Sequence, residues 1–184
     1  QFSASVYNSL FSYTTNGIKQ GYNILGASVS LARRLKWPDD YFSFSQSINL
    51  QHYNLSNYTR IAVGNGNGLF QSYSYALSLS RYSSDATIYA RAGSEVNFTV
   101  EETPPYSLIT PGRFADKQGD DKYRLIEFHQ WKFNGTFYQQ IIGDLVIMAR
   151  TKMGFLGKYS NDIEITPFNR YFMRGDGMSG YSNI

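Results

Sequence analysis

The sequence predicts an all-β fold in which long antiparallel strands form part of a transmembrane β-barrel. Three observations predict it. Apolar and small polar residues alternate with a period of two through most of the chain, the pattern of strands with one greasy and one wet face. Sixteen Tyr and thirteen Phe accompany many Ser, Asn and Thr, a mixture that suits strands better than helices. Several alternating runs also reach the roughly 9 to 11 residues that a tilted strand needs to cross a bilayer.

The first strand opens at Phe2-Ser3-Ala4-Ser5-Val6-Tyr7, and Thr15-Asn16-Gly17 marks a turn. The second runs from about Gly21 to Leu35, with Leu25, Ala27, Val29 and Leu31 on one face and Gly26, Ser28 and Ser30 on the other. Lys36-Trp37-Pro38-Asp39-Asp40 makes a polar turn into a third strand from Tyr41 to Tyr53. Asn54 to Asn67 is loop-like, with short extended structure around Arg60 to Val63. The fourth strand has the cleanest pattern: Leu69, Tyr73, Tyr75, Leu77 and Leu79 oppose Ser72, Ser74, Ala76, Ser78 and Ser80. The fifth covers Ser94 to Glu102 and ends at Pro104-Pro105, which lack the N–H groups that pairing requires. Pro111-Gly112 and Lys117 to Lys122 build a long charged loop. The sixth strand starts near Tyr123 and runs through Phe133, with Tyr138 near its far end. Gly143-Asp144 is a tight turn, and Leu145 to Phe155 is the seventh strand.

Charge and residue inventory narrow the function classes. A net charge of +3, spread over many segments, is not the clustered positive surface of a nucleic-acid binder. The absence of cysteine excludes disulfide scaffolds and thiolate metal sites. The two histidines, His52 and His129, are far apart; His129 beside Phe128 and Trp131 reads as a rim or wall residue rather than a metal ligand. Gly64-Asn65-Gly66-Asn67-Gly68 lacks the lysine and Ser/Thr of a phosphate loop and reads as a surface loop. Asn54, Asn57, Asn97 and Asn134 begin Asn-x-Ser/Thr sequons, which are common by chance in such a chain. Glu95, Glu101, Glu127 and Arg150 are candidate lumen or rim charges, because an Arg facing lipid costs about 2–4 kcal/mol at the bilayer midplane. No catalytic residues, cofactor or metal ligands emerge, so the chain reads as non-enzymatic.

The closing stretch Thr166-Pro167-Phe168-Asn169-Arg170-Tyr171-Phe172, followed by Arg174-Gly175-Asp176-Gly177-Met178-Ser179-Gly180-Tyr181, resembles a segment of the BamA-type assembly factors of the Omp85 family, in the form found in Bacteroidota. Pro167, Phe168, Arg170, Tyr171 and Phe172 fit the family's Pro-Phe-x-Arg-Phe-Phe type segment. Gly175, Gly177, Ser179, Gly180 and Tyr181 fit the glycine-rich run after it. Ile88 to Glu95, Glu102 to Ser107 and Lys36 to Phe42 add further matches, so the resemblance covers essentially the whole chain. Arg174 stands where a small residue is usual, and Ala90 where proline often stands. Arg174-Gly175 is not the family's Arg-Gly-Phe/Tyr loop motif, because it comes too early.

The resemblance implies that residues 1–184 are the central part of an Omp85 C-terminal barrel domain, about seven or eight strands of a sixteen-strand barrel, ending at the start of the infolded extracellular loop. POTRA domains and the terminal strands of the seam would be absent. The implied role of the parent protein is non-enzymatic insertion and folding of outer-membrane β-barrel proteins in the bacterial outer membrane. This segment would supply wall and extracellular loops. The implied partners are nascent barrel proteins, other assembly subunits, lipoproteins and outer-membrane lipid, with no nucleic acid and no cofactor. Pro167, Phe168, Arg170, Phe172, Gly175, Gly177, Gly180 and Tyr181 would order the infolded loop, with Arg170 reaching a luminal carboxylate or carbonyl. Two alternatives stand beside this reading. One is a passive porin-like or other transport barrel; the other is a soluble β-sandwich binding module.

Overall fold

Among the described residues, seven strands follow one another as an antiparallel meander. In the computed structural model they are β1 (Phe2–Thr15), β2 (Ile18–Arg34), β3 (Phe42–Ser56), β4 (Gly68–Tyr82), β5 (Ala92–Glu102), β6 (His129–Ile142) and β7 (Leu145–Gly157). One short helix, α1 (Tyr106–Ile109), follows β5. The structure describes residues 1–58, 66–86, 88–110, 124–161, 165–166 and 169–171.

Local chemistry accounts for the hairpins. Asn16 and Gly17 both take positive φ, 53° and 77°, the left-handed pair that a two-residue turn needs to match the strand twist. The second strand therefore begins at Ile18, ahead of the expected Gly21. Gly143 (φ 54°) turns β6 into β7. At the far end of β5, Pro104 and Pro105 stop the ladder, and β5 bonds β4 only from Tyr75 to Tyr82. The lower edge of β4 is taken by a returning segment. Gln71 N–H donates to Arg124 O at 2.8 Å, and Ile126 N–H donates to Gln71 O at 2.9 Å. Residues 124–128 thus patch β4 instead of opening the sixth strand as the alternation predicts, and β6 starts at His129.

The two faces of the sheet differ sharply. One carries the rows Ser5–Ser28–Asn49–Ser74 and Ser45–Ser78–Thr99. Its hydroxyls bond across strands: Ser3 to Ser30 at 2.6 Å, Ser5 to Ser28 at 2.8 Å and Ser78 to Thr99 at 2.8 Å. At one end the same face becomes apolar, and there Tyr53, Leu55, Tyr58, Phe70, Ile126 and Phe128 form the buried core. Each such side chain contributes about 1.5–3 kcal/mol on burial, and the returning segment supplies two of the six. The opposite face is apolar and uncovered. Val6, Leu25, Val29, Ile48, Leu50, Tyr75, Trp131 and Phe155 all stand exposed on it.

The predicted partial transmembrane barrel is corrected to an open sheet. Among the described residues β1 bonds only β2 and β7 only β6, so the sheet is open at both ends. Alternation is a local property that open sheets and barrels share, and closure depends on curvature and partner strands that no local period encodes. The expected transmembrane strands and outer-membrane location are corrected with the barrel, to an open seven-stranded antiparallel sheet among the described residues. No helix among the described residues is long and apolar enough to cross a membrane, a statement that concerns helices alone.

Candidate functional site

The polar face of β6 and β7 carries the most specific arrangement in the molecule, and it is built around a glycine. Gly154 lies mid-strand in β7, directly opposite Lys132 in β6. It has no side chain to cover the backbone, and the ring of Tyr171 occupies the vacant space. A Cβ on Gly154 would lie 2.8 Å from Cζ of that ring. The Tyr171 hydroxyl donates to Trp131 O at 3.1 Å, and Lys132 Nζ sits 5.9 Å from the ring centroid, within cation–π range. One further contact and one buried side chain hold the segment that delivers this tyrosine. Gln130 Nε2 donates to Asn169 O at 3.4 Å, and Thr166 is buried. Residues 165–166 and 169–171 therefore form a strap seated on the polar face.

Aromatic-over-glycine pairing recurs elsewhere in the sheet. Tyr7 faces Gly26 across β1 and β2, with its ring where a Cβ would stand. His129 covers Gly157 in the same way across β6 and β7, and its ring lies 5.7 Å from Phe155 and 5.3 Å from Tyr159. A bare glycine backbone accepts a ring that a side chain would exclude, which ties strand register to particular residue pairs.

Ionisable groups serve structure. Glu101 accepts from Ser74 Oγ at 2.6 Å, inside the hydroxyl ladder. Glu127 is buried and accepts from the Ser107 backbone N–H and, at 2.7 Å, from Ser107 Oγ, which ties α1 to the returning segment. Glu95 lies opposite Thr136, and Thr136 lies opposite Arg150, all on the polar face. Arg81 bonds Asp39 at 3.0 Å and reaches Ser83 and Ser94. Burial holds the Tyr53 phenol well above its ordinary pKa, with Tyr7 and Glu101 adding to the effect. Burial likewise pushes Tyr159 up to about 12, helped by Glu102 and Glu127. Both phenols stay protonated hydrogen-bond donors at neutral pH. Among the described residues no group of His, Cys, Asp or Glu could hold a metal ion, and no catalytic constellation forms. The glycine-rich Gly66-Asn67-Gly68 stretch is a loop closure: Gly66 O accepts from Tyr58 N–H, and Asn67 bonds Asn57. Asn97 is bound into the ladder through Ser78 and Ser80.

Of the residues expected to order the closing segment, Pro167, Phe168, Phe172, Gly175, Gly177, Gly180 and Tyr181 lie outside the described residues. Arg170 is described and exposed, and its guanidinium donates to Ile165 O at 3.4 Å, within its own segment. The strongest anchor is instead Tyr171, which sequence reasoning placed in the segment without assigning it this role. The usable signal was Gly154, an unexplained glycine inside a predicted strand.

No protein-family model matches the chain, and no curated protein matches it. Among solved structures, the chain is similar to BamA from Haemophilus ducreyi lacking POTRA domains 1-3, with a TM-score of 0.65 and 15% identity. The match covers 95% of this chain and 32% of that one, so the chain spans about a third of the length of the protein it resembles. At that identity the likeness concerns fold alone. The expected identification as a barrel fragment of the Omp85 family is corrected: the likeness at 15% identity shows the fold alone, and the sheet among the described residues is open. The expected insertion and folding of outer-membrane proteins is corrected with it, because that role rested on the family.

Proposed function

We propose that the domain is a non-enzymatic binding module of the β-sandwich kind, in which this sheet is one layer and its apolar face receives a second sheet. The observation that carries the reading is the segregation of the two faces. The polar face is satisfied by its own cross-strand hydrogen bonds, whereas large apolar side chains stand uncovered on the other face of all seven strands. Monomeric proteins in water rarely leave so extended an apolar surface uncovered, and such surfaces mark interaction sites. A second sheet packed about 10 Å away would bury it.

Trp131 reports on this directly, since it lies on the apolar face and is 42% exposed in the isolated sheet. With Trp37 replaced by Phe, Trp131 is the sole tryptophan. The expected result in detergent-free buffer is blue-shifted emission that resists iodide quenching, reverting to exposed emission in Val29→Glu. Freely quenched emission would sink the reading, and so would a chain that stays in solution only with detergent.

A further inference from the structure

Four Asn-Gly steps occur in the chain: Asn16-Gly17, Asn65-Gly66, Asn67-Gly68 and Asn134-Gly135. Asn65 lies outside the described residues. Such a step is a chemical weak point, because the glycine nitrogen has no side chain beside it and can attack the asparagine side-chain carbonyl. A bond from that nitrogen to Cγ forms, the bond from Cγ to the amide NH2 breaks, and ammonia leaves with the proton that the glycine nitrogen gives up. Water then opens the resulting succinimide at either carbonyl, to aspartate or isoaspartate, and a negative charge is gained. The reaction needs a glycine N–H outside the hydrogen-bond ladder and an asparagine free to turn toward it.

Two of the described steps fail that requirement. Gly135 lies mid-strand in β6, between Val96 of β5 and Thr151 of β7, and in a central strand each N–H bonds one neighbour or the other. Gly68 pairs with Leu55. Tyr82 N–H donates to Tyr41 O, and Leu55 and Gly68 lie an even number of residues along the same register, so they too form a bonded pair. The Asn67 side chain is also held: its Oδ1 accepts from Asn57 N–H at 2.8 Å, and its Nδ2 donates to Asn57 Oδ1 at 3.2 Å. Asn16-Gly17 meets the requirement. Thr15 and Ile18 are the last paired residues and close the two-residue turn, which leaves Gly17 N–H outside the ladder. Both tip residues are exposed, and a Cβ on Gly17 would meet nothing within 4 Å. We propose that Asn16 is a site of spontaneous deamidation, set apart from Asn67 and Asn134 by its place at the tip of the β1–β2 hairpin. Ring closure there needs only the tip residues to rotate, whereas at Gly68 and Gly135 strand bonds must open first, and opening is easiest at turn tips and hardest in paired strands. Isoaspartate routes the backbone through the former side chain and lengthens it by a carbon, so the left-handed pair that matches the strand twist is lost. The site is independent of the layer proposed above.

Timed incubation of the folded chain at mildly alkaline pH, beside the same chain unfolded in urea, tests the assignment. Tryptic peptides are fragmented to locate each conversion, and isoaspartate is labelled with an isoaspartyl methyltransferase. In the folded chain Asn16 is expected to convert at least about tenfold faster than Asn67 and Asn134. In urea the three rates should converge to within about threefold, because each asparagine precedes a glycine and the ladder no longer separates them. A smaller lead for Asn16 in the folded chain would overturn the proposal. So would a lead that persists undiminished in urea, since sequence neighbours and not the fold would then set the order.

Discussion

Replacing Gly154 with alanine should unseat the strap while leaving the sheet intact or firmer. The new Cβ would lie 2.8 Å from Cζ, 2.9 Å from Cε2 and 3.1 Å from Cε1 of Tyr171. Non-bonded carbons rest about 3.5–4.0 Å apart, so the ring must lift by roughly 0.7–1 Å. The hydroxyl bond to Trp131 O already measures 3.1 Å, and such a shift breaks it. The loss is about 0.5–1.5 kcal/mol for the hydrogen bond. The weakened Lys132 contact adds about 0.5 kcal/mol. Together these come to about 1–2 kcal/mol, roughly a fivefold to thirtyfold rise in the undocked fraction. A glycine inside a strand is worse than alanine by about 0.5–1 kcal/mol, so global stability should hold or rise. The two effects have opposite signs and are read in different places. Hydrogen exchange resolved by peptide should quicken over residues 165–171 and not in β6 or β7. Tyr171→Phe should show a smaller quickening, because the ring remains seated. Unchanged exchange over the strap in Gly154→Ala would refute the reasoning, and so would equal loss of protection throughout β7.

Two further outcomes follow from the packing and the electrostatics. Phe70 has no exposed surface and lies in the buried cluster, so Phe70→Ala should cost about 3–5 kcal/mol, read as a lowered urea midpoint. Asp85 accepts from the backbone N–H groups of Ala92 and Arg91, which lower its pKa from the ordinary 3.8. Its contribution to stability is therefore present above that ordinary value and lost as pH falls through the lowered folded value. In acid titration followed by hydrogen exchange, the loop between β4 and β5 should loosen in that window. In Asp85→Asn it should be looser at neutral pH and show no such acid step.

The alternating period placed six of the seven strands closely, and the fifth almost residue for residue. Asn16-Gly17 and Gly143-Asp144 were legible as turns because positive φ is a property of the residues themselves. The separation into a hydroxyl-rich face and a greasy face was equally legible, since side chains alternate across any strand. Tertiary structure decided what was non-local. Leu125 and Ile126 alternate as strand residues do, yet they serve the edge of β4 that Pro104 and Pro105 left vacant. Glu127, predicted as a lumen or rim charge, is buried because that route carries it to Ser107. Tyr171 is the anchor of its segment because Gly154, from another strand, leaves room for a ring. Openness of the sheet was decided at this level too. A strand's period records which face is wet, but whether an edge finds a partner depends on the summed twist and reach of all seven strands, a quantity that no single stretch of residues contains.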